Sequence, residues 1–177
     1  MRTLISSKKR KKLMQIILEN PEKVPGVREA AKECGVSPAS ASVLMSSLEK
    51  DGFIKKGRLD LGNPELRALR ILFNVEKVAP GYTALKKEFG ITGMGIYGSW
   101  AQGTNTTASD LDIWVKLGEG EERKKAEIRE RIERIVRGVQ TNVVFLTEKK
   151  TKQLNKEDPV FYSALFYSYL IGGEKIA

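Results

Sequence analysis

The amino-acid sequence predicts an α+β protein of 177 residues that is organised as two small domains. One observation is that the first third of the chain contains three short helical patterns with their own capping residues. The other is that the second half contains β-prone segments of alternating polarity, separated by an amphipathic helix. We therefore expect a three-helix domain at residues 1–62, a connecting helix and linker at 63–80, and a small mixed-sheet domain at 81–177.

The composition limits both the chemistry and the partners. Apolar residues make up 41% of the chain, and 31 Lys and Arg outnumber 22 Asp and Glu, giving a net charge of +9. Such an excess favours a polyanionic partner such as a nucleic acid or a nucleotide. The chain has no histidine, which excludes Ser-His-Asp triads, histidine metal ligands and histidine general bases. Carboxylate and metal chemistry is therefore the expected route to any activity.

The sequence is typical of a cytoplasmic protein that does not enter a membrane. Its single cysteine, Cys34, cannot form an internal disulfide, as is usual in a reducing compartment. The N-terminus is polar and then basic, unlike a signal peptide. The longest apolar run, Val160–Ile171, is interrupted by serines and tyrosines and is too short to span a bilayer.

Three helices are predicted near the N-terminus. The first covers Ser6–Glu19 and has an apolar stripe on one face. The second covers Val27–Glu33 and is closed by Gly35. The third begins after Ser37 as N-cap, with a proline at its first position, and extends over Pro38–Lys50.

A short basic hairpin is expected after the third helix, over Phe53–Arg58. The stretch VREAAKECGVSPASASVLMSSLEKDGFIKK, which ends at Lys56, resembles a winged helix-turn-helix domain, and the resemblance covers roughly residues 5–62. It implies double-stranded DNA as a partner. The alternative is a three-helix structural module that does not contact nucleic acid.

The third helix limits what such a domain could recognise. Its outward positions are serines, alanines and a valine, which cannot make the bidentate contacts that distinguish bases. Lysines and an arginine on the first helix and the hairpin can still contact phosphates, which predicts DNA binding with weak sequence preference. The candidate DNA-binding residues are Lys8, Lys9, Ser37, Ser40, Ser42, Lys55, Lys56 and Arg58.

Two further helices are expected before the first strand of the second domain. Asn63 and Pro64 cap a connecting helix over Glu65–Phe73, and Gly81–Phe89 forms another short helix. The segment Ile91–Tyr97 is then small and β-prone.

The rest of the second domain is predicted as two strands and two helices. Leu111–Leu117 and Val139–Leu146 are the strands, and Glu121–Arg137 is the amphipathic helix between them. Asp158 and Pro159 cap a last helix that is apolar nearly all round, which predicts burial in the core or in the interface of a homodimer.

The segment GSWAQGTNTTASDLD, from Gly98 to Asp112, carries the chemistry. Asp110 and Asp112 lie two apart on a strand, so their carboxylates point the same way and can hold a hard divalent cation. Gly98 allows a ligand to approach the backbone, and Ser99 can begin a short helix whose free N–H groups face an anion. The segment therefore suits a triphosphate that Mg²⁺ bridges to the carboxylates.

These residues resemble the signature of the minimal nucleotidyltransferases, of archaeal type, in the polymerase-β-like superfamily. The resemblance extends from the strand near Ile91 to the C-terminus. It implies a nucleoside triphosphate, expected to be ATP, and transfer of a nucleoside monophosphate to an acceptor hydroxyl with Mg²⁺ or Mn²⁺. A strand–turn–strand with surface carboxylates is the alternative. The implied nucleotide-binding residues are Gly98, Ser99, Gly103 and Ser109, and the implied metal ligands are Asp110 and Asp112.

The resembled family has a third catalytic carboxylate on the neighbouring strand, where this chain has Asn142. An asparagine can ligate a metal through its carbonyl oxygen but cannot accept a proton. Three outcomes fit: a slow transferase, a transferase that uses Glu148 or Glu174 instead, or a domain that only binds nucleotide. Two other functions stay open, namely a transcriptional regulator with a degenerate nucleotide-sensing domain, and an antitoxin-like protein that masks a partner through its apolar C-terminal helix.

Overall fold

The structure, a computed structural model, describes residues 7–118 and 121–176, and it divides into two units. The first unit comprises the chain up to Arg70 together with Thr106–Ala108. The second comprises Ile71–Asn105 and the chain from Ser109 onward.

The first unit contains three helices followed by a hairpin. Helices α1 (Lys8–Glu19), α2 (Val27–Cys34) and α3 (Pro38–Lys50) precede the two-residue strands β1 (Ile54–Lys55) and β2 (Arg58–Leu59), which pair antiparallel. These elements lie within about two residues of the positions that the sequence patterns predict; Ser6, the expected start of the first helix, lies outside the described residues. Their use in nucleic-acid binding stays a prediction.

Local sequence explains where these helices begin and end. Ser7 and Ser37 cap α1 and α3 by accepting hydrogen bonds from the backbone N–H groups of Arg10 and Ser40, at 3.2 and 3.1 Å. Gly35 ends α2 in the left-handed conformation, with φ of 65°. The apolar faces of the helices form a core that contains Leu13, Met14, Ile17, Leu44 and Leu48.

Helix α4 (Pro64–Phe89) is continuous over 26 residues, which corrects the expectation of two helices, Glu65–Phe73 and Gly81–Phe89. Pro80, which usually breaks a helix because it lacks an N–H donor, lies inside it. Val78 and Leu85 are fully buried on either side of this proline. Burial of the apolar side chains on both flanks outweighs the loss of one backbone hydrogen bond.

The second unit is built on a mixed sheet, as expected, but the sheet has four strands where the sequence predicts three. Its strands are β3 (Gly93–Tyr97), β4 (Leu111–Lys116), β5 (Thr141–Leu146) and β6 (Tyr169–Gly173), in the order β5-β4-β3-β6. Strand β3 pairs antiparallel with β4 and β6, whereas β4 and β5 are parallel. The short helix α5 (Gly98–Gln102) lies between β3 and β4 in the chain, and a 3-10 turn (Glu121–Lys124) with helix α6 (Lys125–Ile135) connects β4 to β5.

Alternation along the strands separates two apolar clusters. Ile96, Ile113 and Val115 belong to the larger cluster, which also contains buried residues of α4 and α6. Trp114 and Leu146, on the opposite face of the sheet, belong to the smaller cluster. Asp112 precedes Trp114 by two residues and so projects from that same face.

The chain after β5 differs from the prediction of one buried terminal helix. It forms α7 (Glu148–Glu157), α8 (Pro159–Phe166) and strand β6. Only Leu165 of α8 is buried within the single chain, so the expected burial of this helix in the core is wrong, whereas burial in a homodimer interface stays a prediction. The apolar run is divided because its second part, rich in β-prone residues, pairs with β3. In the described part of the chain, no helix is long and apolar enough to cross a membrane.

Candidate functional site

The candidate site begins where β3 passes into α5. Tyr97 ends β3 in an extended conformation, and Gly98 starts α5 with φ of 65°, which favours glycine. A Cβ atom at Gly98 would lie 2.5 Å from Oδ2 of Asp112. Glycine is therefore required here both for the turn and for the close approach of the carboxylate.

Strand β4 and its neighbour β5 bring together three polar side chains. Asp110 lies just before β4, and Asp112 is the register partner of Asn142 on β5. The amide nitrogen of Asn142 donates to Oδ1 of Asp112 at 3.2 Å and to Oδ2 of Asp110 at 3.4 Å. In the structure, Asn142 therefore lies within hydrogen-bonding distance of both aspartates that the sequence indicated.

The oxygen atoms of this group suit a divalent cation. Two carboxylates are available, and Asn142 carries a carbonyl oxygen as well as the amide that now donates to them. Among the described residues, no three Cys, Asp or Glu side chains come together to form a metal site. The site thus offers two charged ligands and one neutral side chain.

The two glutamates considered as replacements for the third carboxylate lie elsewhere. Glu174 forms an ion pair with Lys116 at 2.9 Å, and Lys116 is four residues beyond Asp112, roughly 13 Å along the strand. Glu148 begins α7 two residues after Leu146, which is the register partner of Lys116. Both glutamates therefore belong to the opposite end of β4 from the aspartates.

The remaining predicted nucleotide-binding residues surround α5. Gly103 ends α5 with φ of 69°, and the carbonyl of Ser99 accepts a hydrogen bond from the N–H of Thr104 at 3.0 Å. Ser99 and Ser109 are both half-buried, and Ser109 directly precedes Asp110. Ser99 and Gly103 thus belong to the short helix α5 and its end, and Ser109 belongs to the segment that leads from this helix to Asp110.

Tyr97 is a neighbour of the site that the sequence analysis missed. It is the register partner of Asp112 on β3, and its ring contacts Phe161 of α8 edge-to-face, with centroids 6.0 Å apart. Burial, together with the negative charge of Asp112, raises the pKa of the Tyr97 phenol to about 12. Its position at the end of the predicted strand, directly before Gly98, could have indicated that Tyr97 lies near the site.

Asn74 also escaped the sequence analysis. It is buried on α4, where its amide nitrogen donates to the carbonyl of Trp100 at 2.8 Å and to Oδ1 of Asn105 at 2.9 Å. These bonds attach α5 and the loop after it to α4. A lone asparagine between apolar helical residues could have indicated such a buried partner.

The candidate DNA-binding residues of the first unit are all exposed. Lys9, Ser37 and Ser40 line one groove of about 590 Å³, which also includes Arg10 and Val43. The others are distributed along α1, α3 and the hairpin, and are Lys8, Ser42, Lys55, Lys56 and Arg58.

Positive charge is concentrated in this part of the chain. Residues 1–70 contain 15 Lys and Arg against 8 Asp and Glu, whereas the rest of the chain contains 16 against 14. One hairpin cation is already paired, because Lys55 contacts Asp60 at 2.6 Å. That hydrogen bond lowers the pKa of Asp60.

One comparison with known proteins, a match to a family model, supports the resemblance. Residues 82–166, which include Gly98, Asp110, Asp112 and Asn142, match the family model of the nucleotidyltransferase domain. A solved structure of a proposed nucleotidyltransferase from Sulfolobus solfataricus is 19% identical, covers 53% of this chain and 85% of its own, and superposes with a TM-score of 0.39. No curated protein sequence matches the chain.

Proposed function

We propose that the second unit binds a nucleoside triphosphate, expected to be ATP, and transfers a nucleoside monophosphate to an acceptor hydroxyl, with cleavage of the bond between the α- and β-phosphates and release of pyrophosphate. The observation that carries this proposal is the meeting of Asp110, Asp112 and Asn142 beside Gly98. All four lie inside the segment that matches the nucleotidyltransferase domain. The winged helix-turn-helix interpretation of the first unit adds a DNA-binding role to this activity.

Asp110 and Asp112 would hold a divalent cation, Mg²⁺ or Mn²⁺, with the oxygen of Asn142 as a neutral ligand once the amide turns. The ion would neutralise charge on the triphosphate as the α-phosphate is attacked. The close approach of Asp112 to the backbone at Gly98 supports this arrangement, since it places a carboxylate directly beside the start of α5.

Proton removal from the acceptor is the weak step of this proposal. Asn142 cannot accept a proton, and Glu148 and Glu174 lie at the other end of β4. One of the two aspartates must therefore both ligate the cation and assist the acceptor hydroxyl. Loss of a dedicated general base typically lowers the rate by about 10²–10⁴-fold, so we propose a slow transferase.

The experiment that tests this function is incubation of the protein with labelled ATP, Mg²⁺ or Mn²⁺ and a cell lysate, followed by a search for transferred AMP. Asp110→Ala and Asp112→Ala are the controls, and both are expected to abolish transfer and cation-dependent ATP binding while the fold survives. Calorimetric ATP affinity that is unchanged in both variants would remove this site from consideration.

A second candidate is a transcriptional regulator whose second unit only senses nucleotide. It is favoured by Asn142, whose amide donates hydrogen bonds to both aspartates, and by the basic first unit. This protein would bind Mg²⁺–ATP and change its DNA affinity without forming AMP adducts. Measuring DNA binding with and without a non-hydrolysable ATP analogue separates the two functions.

The antitoxin-like alternative depended on an apolar C-terminal helix that masks a partner protein. The exposed apolar side chains of α8 are still consistent with contact to a partner protein at this end of the chain. We further propose that the protein is cytoplasmic and does not enter a membrane.

A further inference from the structure

An uncharged, exposed surface lies at the C-terminal end of the second unit. Residues 159–173 contain no charged side chain, although 30% of the chain is charged. Four large apolar residues in or beside this segment's α8 and β6 are mainly exposed: Val160 (80%), Phe166 (63%), Tyr167 (82%) and Tyr169 (47%). We call these four residues the α8–β6 surface. Two of them, Phe166 and Tyr167, are in ring contact with each other, and exposed apolar patches mark interaction sites.

A groove of about 310 Å³ adjoins this surface. Its buried lining is Trp114, Leu165 and Ile176, while Phe166 and Lys175 are exposed along it. The indole N–H of Trp114 donates to the hydroxyl of Ser168 at 2.8 Å. The groove is therefore apolar, with its buried indole donor satisfied, and it is large enough for one aromatic side chain.

We propose that a second copy of this chain covers the α8–β6 surface, and that each copy inserts Tyr167 into the groove of the other. Tyr167 contacts Phe166 edge-to-face, with centroids 6.2 Å apart, and Phe166 lines the groove. Tyr167 and the groove are adjacent on one chain, so a two-fold axis allows each copy to insert its tyrosine into the groove of the other. Most homodimers have this symmetry. Tyrosine is also among the residues that contribute most to such interfaces.

The charges around the surface agree with this occupant. Residues 71–177 are nearly balanced, with 16 Lys and Arg against 14 Asp and Glu, so two copies do not repel each other through this unit. Both signs flank the uncharged segment, with Glu157 and Asp158 before it and Glu174 and Lys175 after it. A polyanion would find no cation within the segment itself, which makes a nucleic acid a poorer occupant.

This inference does not depend on the proposed transfer reaction, because it uses none of the residues proposed to bind the nucleotide or the cation. It does bear on the proposed DNA binding. A two-fold dimer would present two helix-turn-helix domains, and its natural target would be a site with two related halves.

The test is sedimentation equilibrium of the full chain over protein concentrations that span about two orders of magnitude. The natural sequence is expected to dimerise. Tyr167→Asp and Phe166→Asp should each raise the dissociation constant by on the order of 10²-fold, whereas Tyr167→Phe should leave it nearly unchanged. Leu72→Asp is the matched control, since Leu72 is also exposed (41%) but lies on α4.

Tryptophan emission provides a second readout that does not depend on a variant. Trp114 lies in the groove, so dilution of the dimer should shift its emission along the same concentration curve as dissociation. A chain that is monomeric at every concentration overturns the proposal. So does a dimer that Tyr167→Asp weakens no more than Leu72→Asp does, and so does a monomer whose surface binds a different protein.

Discussion

The amide nitrogen of Asn142 lies 3.2 Å from Oδ1 of Asp112, and these two residues are register partners on neighbouring parallel strands. A neutral donor on β5 thus faces the carboxylate of Asp112 on β4. Its second bond, to Oδ2 of Asp110 at 3.4 Å, places one amide donor between two carboxylate side chains. These two hydrogen bonds hold the three side chains together.

Asn142→Asp should convert this site into a metal-dependent one. Three carboxylates without the amide donor repel one another, so the variant should be less stable than the natural protein when divalent ions are chelated. Addition of Mg²⁺ or Mn²⁺ should restore its melting temperature and raise any transfer rate by on the order of 10² or more. Thermal melts with and without chelator check the first effect, with Asn142→Ala as control; equal ion dependence in both variants would contradict it.

Gly98→Ala should damage the site more than it damages the fold. The substitution places a Cβ 2.5 Å from Oδ2 of Asp112 and also strains a backbone with φ of 65°. Gly90→Ala is a matched control, because Gly90 has φ of 68° and open space around it. Both variants should lose about 1–2 kcal/mol of stability, but only Gly98→Ala should lose cation-dependent ATP binding by calorimetry. Equal ATP affinities in the two variants would show that the carboxylate does not need this approach.

Tyr97 predicts how stability falls in alkaline solution. Because burial and the charge of Asp112 raise its pKa from 10.0 to about 12, the folded state holds the phenolic proton more tightly than the unfolded state does. This contribution is complete below pH 10 and is lost as the pH rises toward about 12. Absorbance titration should show one of the five tyrosines ionising late, and Tyr97→Phe should remove that component. If the late component persists in Tyr97→Phe, it comes from another tyrosine and the prediction is wrong.

Asn74→Ala should destabilise the second unit. It removes two buried hydrogen bonds, one to the backbone carbonyl of Trp100 and one to the side-chain oxygen Oδ1 of Asn105. The expected loss is about 1–3 kcal/mol in the free energy of unfolding, measured by urea denaturation. Glu76→Ala, at an exposed position of the same helix, should cost much less. A loss no larger than that of Glu76→Ala would mean that water replaces the asparagine.

Binding of duplex DNA should depend strongly on salt and weakly on sequence. With four to six phosphates engaged, log K should fall against log salt with a slope of about −4 to −5. Replacement of Lys55, Lys56 and Arg58 by alanine should flatten that slope by up to three contacts, and less if Lys55 stays paired with Asp60. Alanines at Lys149, Lys150 and Lys152 are the matched control and should leave the slope unchanged. A sequence-specific site that survives the hairpin substitutions, or no binding at low salt, would defeat this prediction.

Local signals in the sequence were sufficient where a residue acts on its own neighbours. Ser37 and Gly35 mark a helix start and a helix end through their own backbone geometry, and the structure places both as expected. Asp110 and Asp112 could be paired from their spacing alone, since two residues on one strand share a face. The pairing of Asn142 with them also follows from the resembled family's strand order.

The errors arose where tertiary packing decides the outcome. Pro80 signals a helix end, but buried Val78 and Leu85 keep α4 continuous. The apolar run after Pro159 resembles a buried helix, but an open edge at β3 draws Tyr169–Gly173 into the sheet. Neither the burial nor the open edge can be read from a window of a few residues.

The parallel pairing of β4 with β5 has a consequence for the order in which the molecule acquires its site. Asp112 and Asn142 are 30 residues apart in the chain, and α6 must cross before their strands can pair. Closing such a loop is slow relative to forming a hairpin or a helix. The group formed by Asp110, Asp112 and Asn142 is therefore incomplete in a chain that emerges from the ribosome until the strand that carries Asn142 has been synthesised and has docked on β4.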